Sequence, residues 1–156
     1  MNDIFQYIDT HRDRFIDELC TLLRQPSISA QNVGMTECAE LVRRLMSEVG
    51  IQARLVPTPG FPVAYGEVPS PGARRTVLIY GHYDVQPPDP LEAWETPPFE
   101  PSIRNGRIYA RGAGDNKGQM FAHLKAVEAV LRTRGRLPVN VKFCFEGEEE
   151  IASKNL

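Results

Sequence analysis

Apolar residues recur at helical spacing near the start of the chain. Ile4, Phe5, Ile8, Phe15, Ile16, Leu19, Leu22 and Leu23 alternate with charged positions, which predicts an amphipathic helix over 3–24. Asn2 or Asp3 can cap its start, and Gln25-Pro26-Ser27 stops it, because proline and the residue before it resist helical continuation. Ala39, Val42, Leu45, Met46 and Val49 predict a second helix over 36–49, closed by Gly50. Short strands follow at Ala53–Val56 and Val63–Tyr65, bracketed by proline or glycine. Thr76 to Tyr80 is an almost continuous apolar run, the pattern of a strand covered on both faces. The proline-rich stretch from Asp84 to Pro101 reads as ordered loop, and Asn105-Gly106 as a hairpin turn between Ser102–Arg104 and Arg107–Tyr109. A third helix over 117–132 carries Met120, Leu124, Val127 and Leu131 on one side, and Val139–Phe145 is a last strand. This alternation predicts an α/β fold with a mixed, mostly parallel sheet flanked by helices.

Composition narrows the function without naming it. The chain has 156 residues, 42% of them apolar, enough for one domain with its own core. A formal net charge of −2 and no clustered basic stretch argue against nucleic acid as a partner. Cys20, Cys38 and Cys144 are odd in number, far apart and in no C-x-x-C pair, so neither a disulfide framework nor a cysteine-rich zinc site is expected. That usage fits a reducing, cytoplasmic setting. The first residues have no basic segment followed by an apolar one, and no apolar run approaches a membrane span, so no membrane partner is expected either.

Three polar clusters sit at the ends of predicted elements. Tyr80-Gly81-His82-Tyr83-Asp84 ends one strand, Arg111 to Gly118 leads into the third helix, and Glu146-Gly147-Glu148-Glu149-Glu150 follows the last strand. Ligands of open α/β sheets gather beyond the carboxyl ends of strands, so an imidazole and several carboxylates are expected on one rim. Zinc takes imidazole nitrogen and carboxylate oxygen together. Asp84, two residues after His82, is placed to hold the other ring nitrogen. A carboxylate such as Asp115 can bridge two metals, and Glu149 with Glu150 offers a ligand beside a general base.

Each feature also has a plain structural meaning. Asp115 can cap the helix beginning near Lys117. The glutamate run can be a solvated acidic stretch, and Glu148 is assigned to that category. His11 reads as surface and His123 as structural. Gly112, Gly114 and Gly118 give G-x-G-x-x-x-G, one residue too long for a dinucleotide fingerprint, and no P-loop lysine follows. Cys144 has no paired base that would make it a nucleophile.

Taken together, Gly81-His82-Tyr83-Asp84-Val85-Gln86-Pro87, Gly112-Ala113-Gly114-Asp115-Asn116-Lys117-Gly118 and Glu146 to Ser153 resemble the metal-site motifs of the M20 metallopeptidase family, in order and spacing. The wording around His82 is most similar to its dipeptidase, carnosinase-like branch. The resemblance implies that His82 binds one zinc ion, Asp84 orients it, Asp115 bridges two ions, Glu150 binds the second, and Glu149 is the general base. It also implies a cis Asp115–Asn116 bond. The reaction implied is hydrolysis of a short peptide or related amide by a zinc-activated water, with cobalt or manganese able to replace zinc. The family pattern further implies two more ligands and a lid domain that mediates homodimerisation. On that pattern, residues 1–156 are the N-terminal part of a catalytic domain, inactive alone. An N-acyl amino-acid deacylase of the same family and a non-catalytic remnant or binding module are the alternatives.

Overall fold

The computed structural model describes residues 1–156. Its elements follow the chain as α1 (Asn2–Thr10), α2 (Arg12–Arg24), α3 (Met35–Val49), β1 (Gln52–Val56), β2 (Val63–Val68), β3 (Thr76–His82), β4 (Ser102–Arg104), β5 (Arg107–Tyr109), α4 (Lys117–Arg134) and β6 (Asn140–Glu146). Single 3-10 turns occupy Ser29–Gln31, Leu91–Ala93 and Glu149–Ile151.

The helix expected over 3–24 divides at His11, whose backbone (φ −104°, ψ 11°) leaves the helical region. The His11 ring nitrogen Nδ1 lies 2.8 Å from the Tyr7 carbonyl, and the ring stacks on Tyr7 with centroids 4.0 Å apart. Apolar periodicity passes unbroken through such a corner. Gly50, at φ 100°, ends α3 as expected. Asn105 and Gly106 both take positive φ and close the β4–β5 hairpin.

The main sheet has the order β1-β2-β6-β3. It is mixed and flanked by helices, but not mostly parallel. β1 pairs with β2, and β2 with β6, antiparallel; β3 with β6 is the parallel pair. The β1–β2 connection is too short for a crossover, so the two strands must return antiparallel, whereas α4 lies between β3 and β6 and allows them to run together.

α3 packs on β1 and β2, α4 packs on β3, and the two helices touch each other, forming one helical layer. Val141, Phe143 and Phe145 of β6 point into that layer and anchor the core with Leu22, Val42, Met46, Met120 and Leu124. Lys142 between them is exposed. β3 departs from the expected two-sided burial: Val77, Leu78 and Tyr80 are exposed at 45%, 63% and 48%. It is the last strand in the order and pairs on one side alone, and both of its faces are partly open there, since neighbouring Val77 and Leu78 point to opposite faces.

Because β3 and β6 run in parallel, their carboxyl ends finish side by side. Register pairs His82 with Glu146, and Tyr83 N continues the ladder to Glu146 O at 2.8 Å. This shared end positions everything below.

Candidate metal centre

His82 is the last residue of β3 and is 5% exposed. Its Nε2 faces outward to Asp115 Oδ1 at 3.1 Å and Glu149 Oε2 at 3.8 Å. Its Nδ1 faces inward, 3.2 Å from the Asp84 carbonyl oxygen and 3.3 Å from Asp84 Oδ1. Burial disfavours a charged ring, but the hydrogen bond and charge of Asp84, its backbone carbonyl and the charge of Glu149 outweigh burial and push the His82 pKa up to about 9. Asp84 engages Nδ1, so Nε2, facing the Asp115 and Glu149 carboxylates, is the ring atom open to a cation.

Asp84 is fully buried. Its Oδ2 accepts from Ser29 Oγ at 2.7 Å and from the Glu150 amide at 3.0 Å. One carboxylate thus contacts the His82 ring and the turn that carries Glu149 and Glu150.

Asp115 precedes α4 and is not its cap: the N-cap is Asn116, and no side-chain capping bond forms. The Asp115 carboxylate is instead 74% exposed and directed at His82. The Asp115–Asn116 bond is cis, as the resemblance implied. Asn116 Oδ1 accepts from His82 N at 3.3 Å, tying the second motif to the first.

Glu149 and Glu150 open the 3-10 turn after β6. Ligand atoms of His82, Glu149 and Glu150 lie within 4.8 Å of one another. Gln86 Nε2 donates to Glu150 Oε2 at 2.8 Å. Donor atoms about 2.0–2.2 Å from one tetrahedral ion sit roughly 3.3–3.6 Å apart, and His82 Nε2 and Asp115 Oδ1, 3.1 Å apart, come close to that spacing. The candidate ligands, the His82 imidazole with the Asp115 and Glu150 carboxylates, suit zinc and related ions.

All five residues singled out in the sequence, His82, Asp84, Asp115, Glu149 and Glu150, therefore meet at one rim. Glu148 does not belong to a solvated run. It is 5% exposed, and its carboxylate accepts from Phe61 N at 3.1 Å, Asn155 N at 3.1 Å and Asn155 Nδ2 at 2.9 Å. A charge count cannot distinguish a glutamate folded back beneath its neighbours from one facing water.

Three supporting residues escaped sequence reasoning. Ser29 and Gln86 are described above. Lys117 is fully buried, and its ammonium donates to Gln25 O at 2.6 Å and Leu22 O at 3.3 Å, fastening the start of α4 to the end of α2. A lysine directly after Asp115-Asn116, at the head of an amphipathic helix, gave no sign that its charge was turned inward.

The model of peptidase family M20/M25/M40 matches residues 78–156. The human Beta-Ala-His dipeptidase is 36% identical over 171 residues, covering 98% of this chain and 33% of that protein. The Cys-Gly metallodipeptidase dug1 of Schizosaccharomyces pombe is 32% identical, covering 100% of this chain and 36% of that protein. Among solved structures, the M20 family metallo-carboxypeptidase Sso-CP2 from Sulfolobus solfataricus superposes with a TM-score of 0.87 at 46% identity, over 90% of this chain and 32% of that one. The chain spans about a third of the length of the curated relatives it matches.

Proposed function

Because the chain belongs to peptidase family M20/M25/M40, we propose that the whole protein is a metal-dependent hydrolase of short peptides, to which this chain contributes His82, Asp84, Asp115, Glu149 and Glu150. The observation that carries the proposal is the convergence of His82 Nε2, Asp115 Oδ1 and Glu149 Oε2 from three separate segments.

The roles follow from what each side chain can do. His82 offers Nε2 to a cation while the Asp84 backbone carbonyl, with the Asp84 carboxylate alongside, holds the proton on Nδ1, fixing tautomer and ring orientation. Asp115, with its carboxylate largely exposed, presents both oxygens and can serve two ions. Gln86 holds one oxygen of Glu150 and leaves the other free to ligate. Glu149, 44% exposed beside His82, takes a proton from the attacking water and returns it to the leaving amine. Bound divalent ions, zinc by preference for this donor set and cobalt or manganese as substitutes, polarise the scissile carbonyl and acidify water. Catalytic zinc usually has three protein ligands, so further ligands are assigned to parts of the whole protein outside residues 1–156, as are the lid and the dimer contact.

A dipeptide is the favoured substrate, since the two dipeptidase relatives match this chain almost end to end. A carboxypeptidase is the second reading, favoured by the 46% identity to Sso-CP2. No helix is long and apolar enough to cross a membrane, and three free cysteines suit a reducing compartment, which supports a cytoplasmic location.

The test uses the full-length protein with zinc, a panel of dipeptides, longer peptides and N-acyl amino acids, and the Glu149→Gln variant. Turnover of dipeptides, lowered about 10²–10⁴-fold in the variant with zinc content retained, is expected. Undiminished turnover after all metal is stripped would sink the proposal, and a preference for N-acyl amino acids would move it to the deacylases.

A further inference from the structure

After α2 the chain passes Pro26-Ser27-Ile28-Ser29 alongside Tyr83-Asp84-Val85. Val85 N donates to Ser27 O at 2.9 Å, Ile28 forms a parallel bridge with Val85, and Ser27 Oγ donates to Tyr83 O at 2.6 Å. That register delivers the Ser29 hydroxyl, on a residue 5% exposed, to Asp84 Oδ2 at 2.7 Å.

Asp84 needs such a partner. It is completely enclosed, and a buried carboxylate is costly unless its oxygens are engaged. Oδ2 receives two donors, Ser29 Oγ and Glu150 N, while Oδ1 has His82 Nδ1 as its neighbour at 3.3 Å. Two donors hold the Oδ2 end of the carboxylate and leave Oδ1 beside the ring, 3.3 Å from Nδ1, with no hydrogen-bond donor of its own. Without the hydroxyl, a single amide holds it.

We propose that Ser29 is a positioning residue of the metal centre: its hydroxyl fixes the Asp84 carboxylate, which in turn sets the His82 ring against the Glu149–Glu150 turn. This rests on reading His82 and its carboxylates as a cation site. It adds a role at the centre for the segment that follows α2.

Ser27 supplies an internal control. It is as buried as Ser29, lies two residues away and makes a hydrogen bond of similar length, but to a backbone carbonyl. The experiment measures zinc affinity by competition with a chromophoric chelator in the full-length protein, alongside thermal melts, for the native sequence, Ser29→Ala, Ser27→Ala and His82→Ala. Ser29→Ala is expected to weaken zinc binding about tenfold, the lower end of what partners of ligating histidines contribute. Ser27→Ala should lower the melting temperature comparably yet hold affinity within about twofold. If Ser29→Ala does not fold, the isosteric pair Ser29→Thr and Ser29→Val replaces it, and the valine variant alone should lose affinity. Native affinity in Ser29→Ala, or equal losses in both serine variants, overturns the inference while leaving the cation site standing if His82→Ala abolishes binding. Zinc binding indifferent to His82→Ala, or none in the native full-length protein, overturns both.

Discussion

Gly147→Ala tests whether the centre is braced from beneath. Gly147 follows β6, and a Cβ there would lie 2.4 Å from both Cζ and Oη of Tyr83. Tyr83 cannot readily yield. It is fully buried, its hydroxyl donates to Pro62 O at 2.6 Å, and its neighbours in sequence are His82 and Asp84. Forcing one methyl into a close-packed site costs about 1–3 kcal/mol. Displacing the ring also threatens the bond to Pro62, about 1 kcal/mol more. The sum, roughly 2–4 kcal/mol, corresponds to a fall of about 4–16 °C in melting temperature for a chain of this size. Because the displaced ring shares its backbone with His82 and Asp84, zinc affinity should fall with stability. Paired urea denaturation and zinc competition give both readings. A variant that melts within a degree of the native chain and binds zinc equally well would refute the idea that Tyr83 pressed on Gly147 fixes the site.

Asp84→Asn should weaken zinc binding about 10–100-fold, because the neutral amide orients His82 less strongly; unchanged affinity in a chelator competition would count against the inward role of Asp84. Glu128 governs part of the acid stability. Burial raises its pKa, but hydrogen bonds from Arg14 and Lys125, the charge of Lys125 and the Tyr7 hydroxyl hold it below 4.5. A depressed folded pKa means this contribution is present above about 4.5 and is lost as pH falls through the lower folded value. Melting temperatures between pH 6 and 3 should therefore decline less steeply for Glu128→Gln, and parallel curves would contradict the assignment. Gly34 adopts φ +69° with the Pro26 carbonyl oxygen 2.2 Å from an added Cβ, so Gly34→Ala should destabilise by more than about 1 kcal/mol, read by urea denaturation. Native stability there would mean that the loop into α3 does not press on the Pro26 segment.

The sequence by itself determined most of the elements and the candidate ligand residues. Period and turn chemistry are local properties, so α3, α4, β6 and the Asn105-Gly106 hairpin emerged within a residue or two of their ends. His82, Asp84, Asp115, Glu149 and Glu150 were legible as candidates because imidazole and carboxylate stand at strand and helix ends in three segments whose order and spacing resemble the M20 metal-site motifs. Tertiary structure alone decided the rest. Strand direction depended on how β1, β2 and β6 came to lie together, which no window of sequence contains. The exposure of β3 depended on its place at the sheet edge. Glu148 and Lys117 turned inward because partners distant in sequence, Phe61 for one and the end of α2 for the other, were brought to them. The same applies to Ser29: a hydroxyl beside a proline has no visible role until folding sets it against a carboxylate 55 residues away. Local interactions are written in neighbouring letters, whereas a buried charge finds its partner only when separate segments close around it.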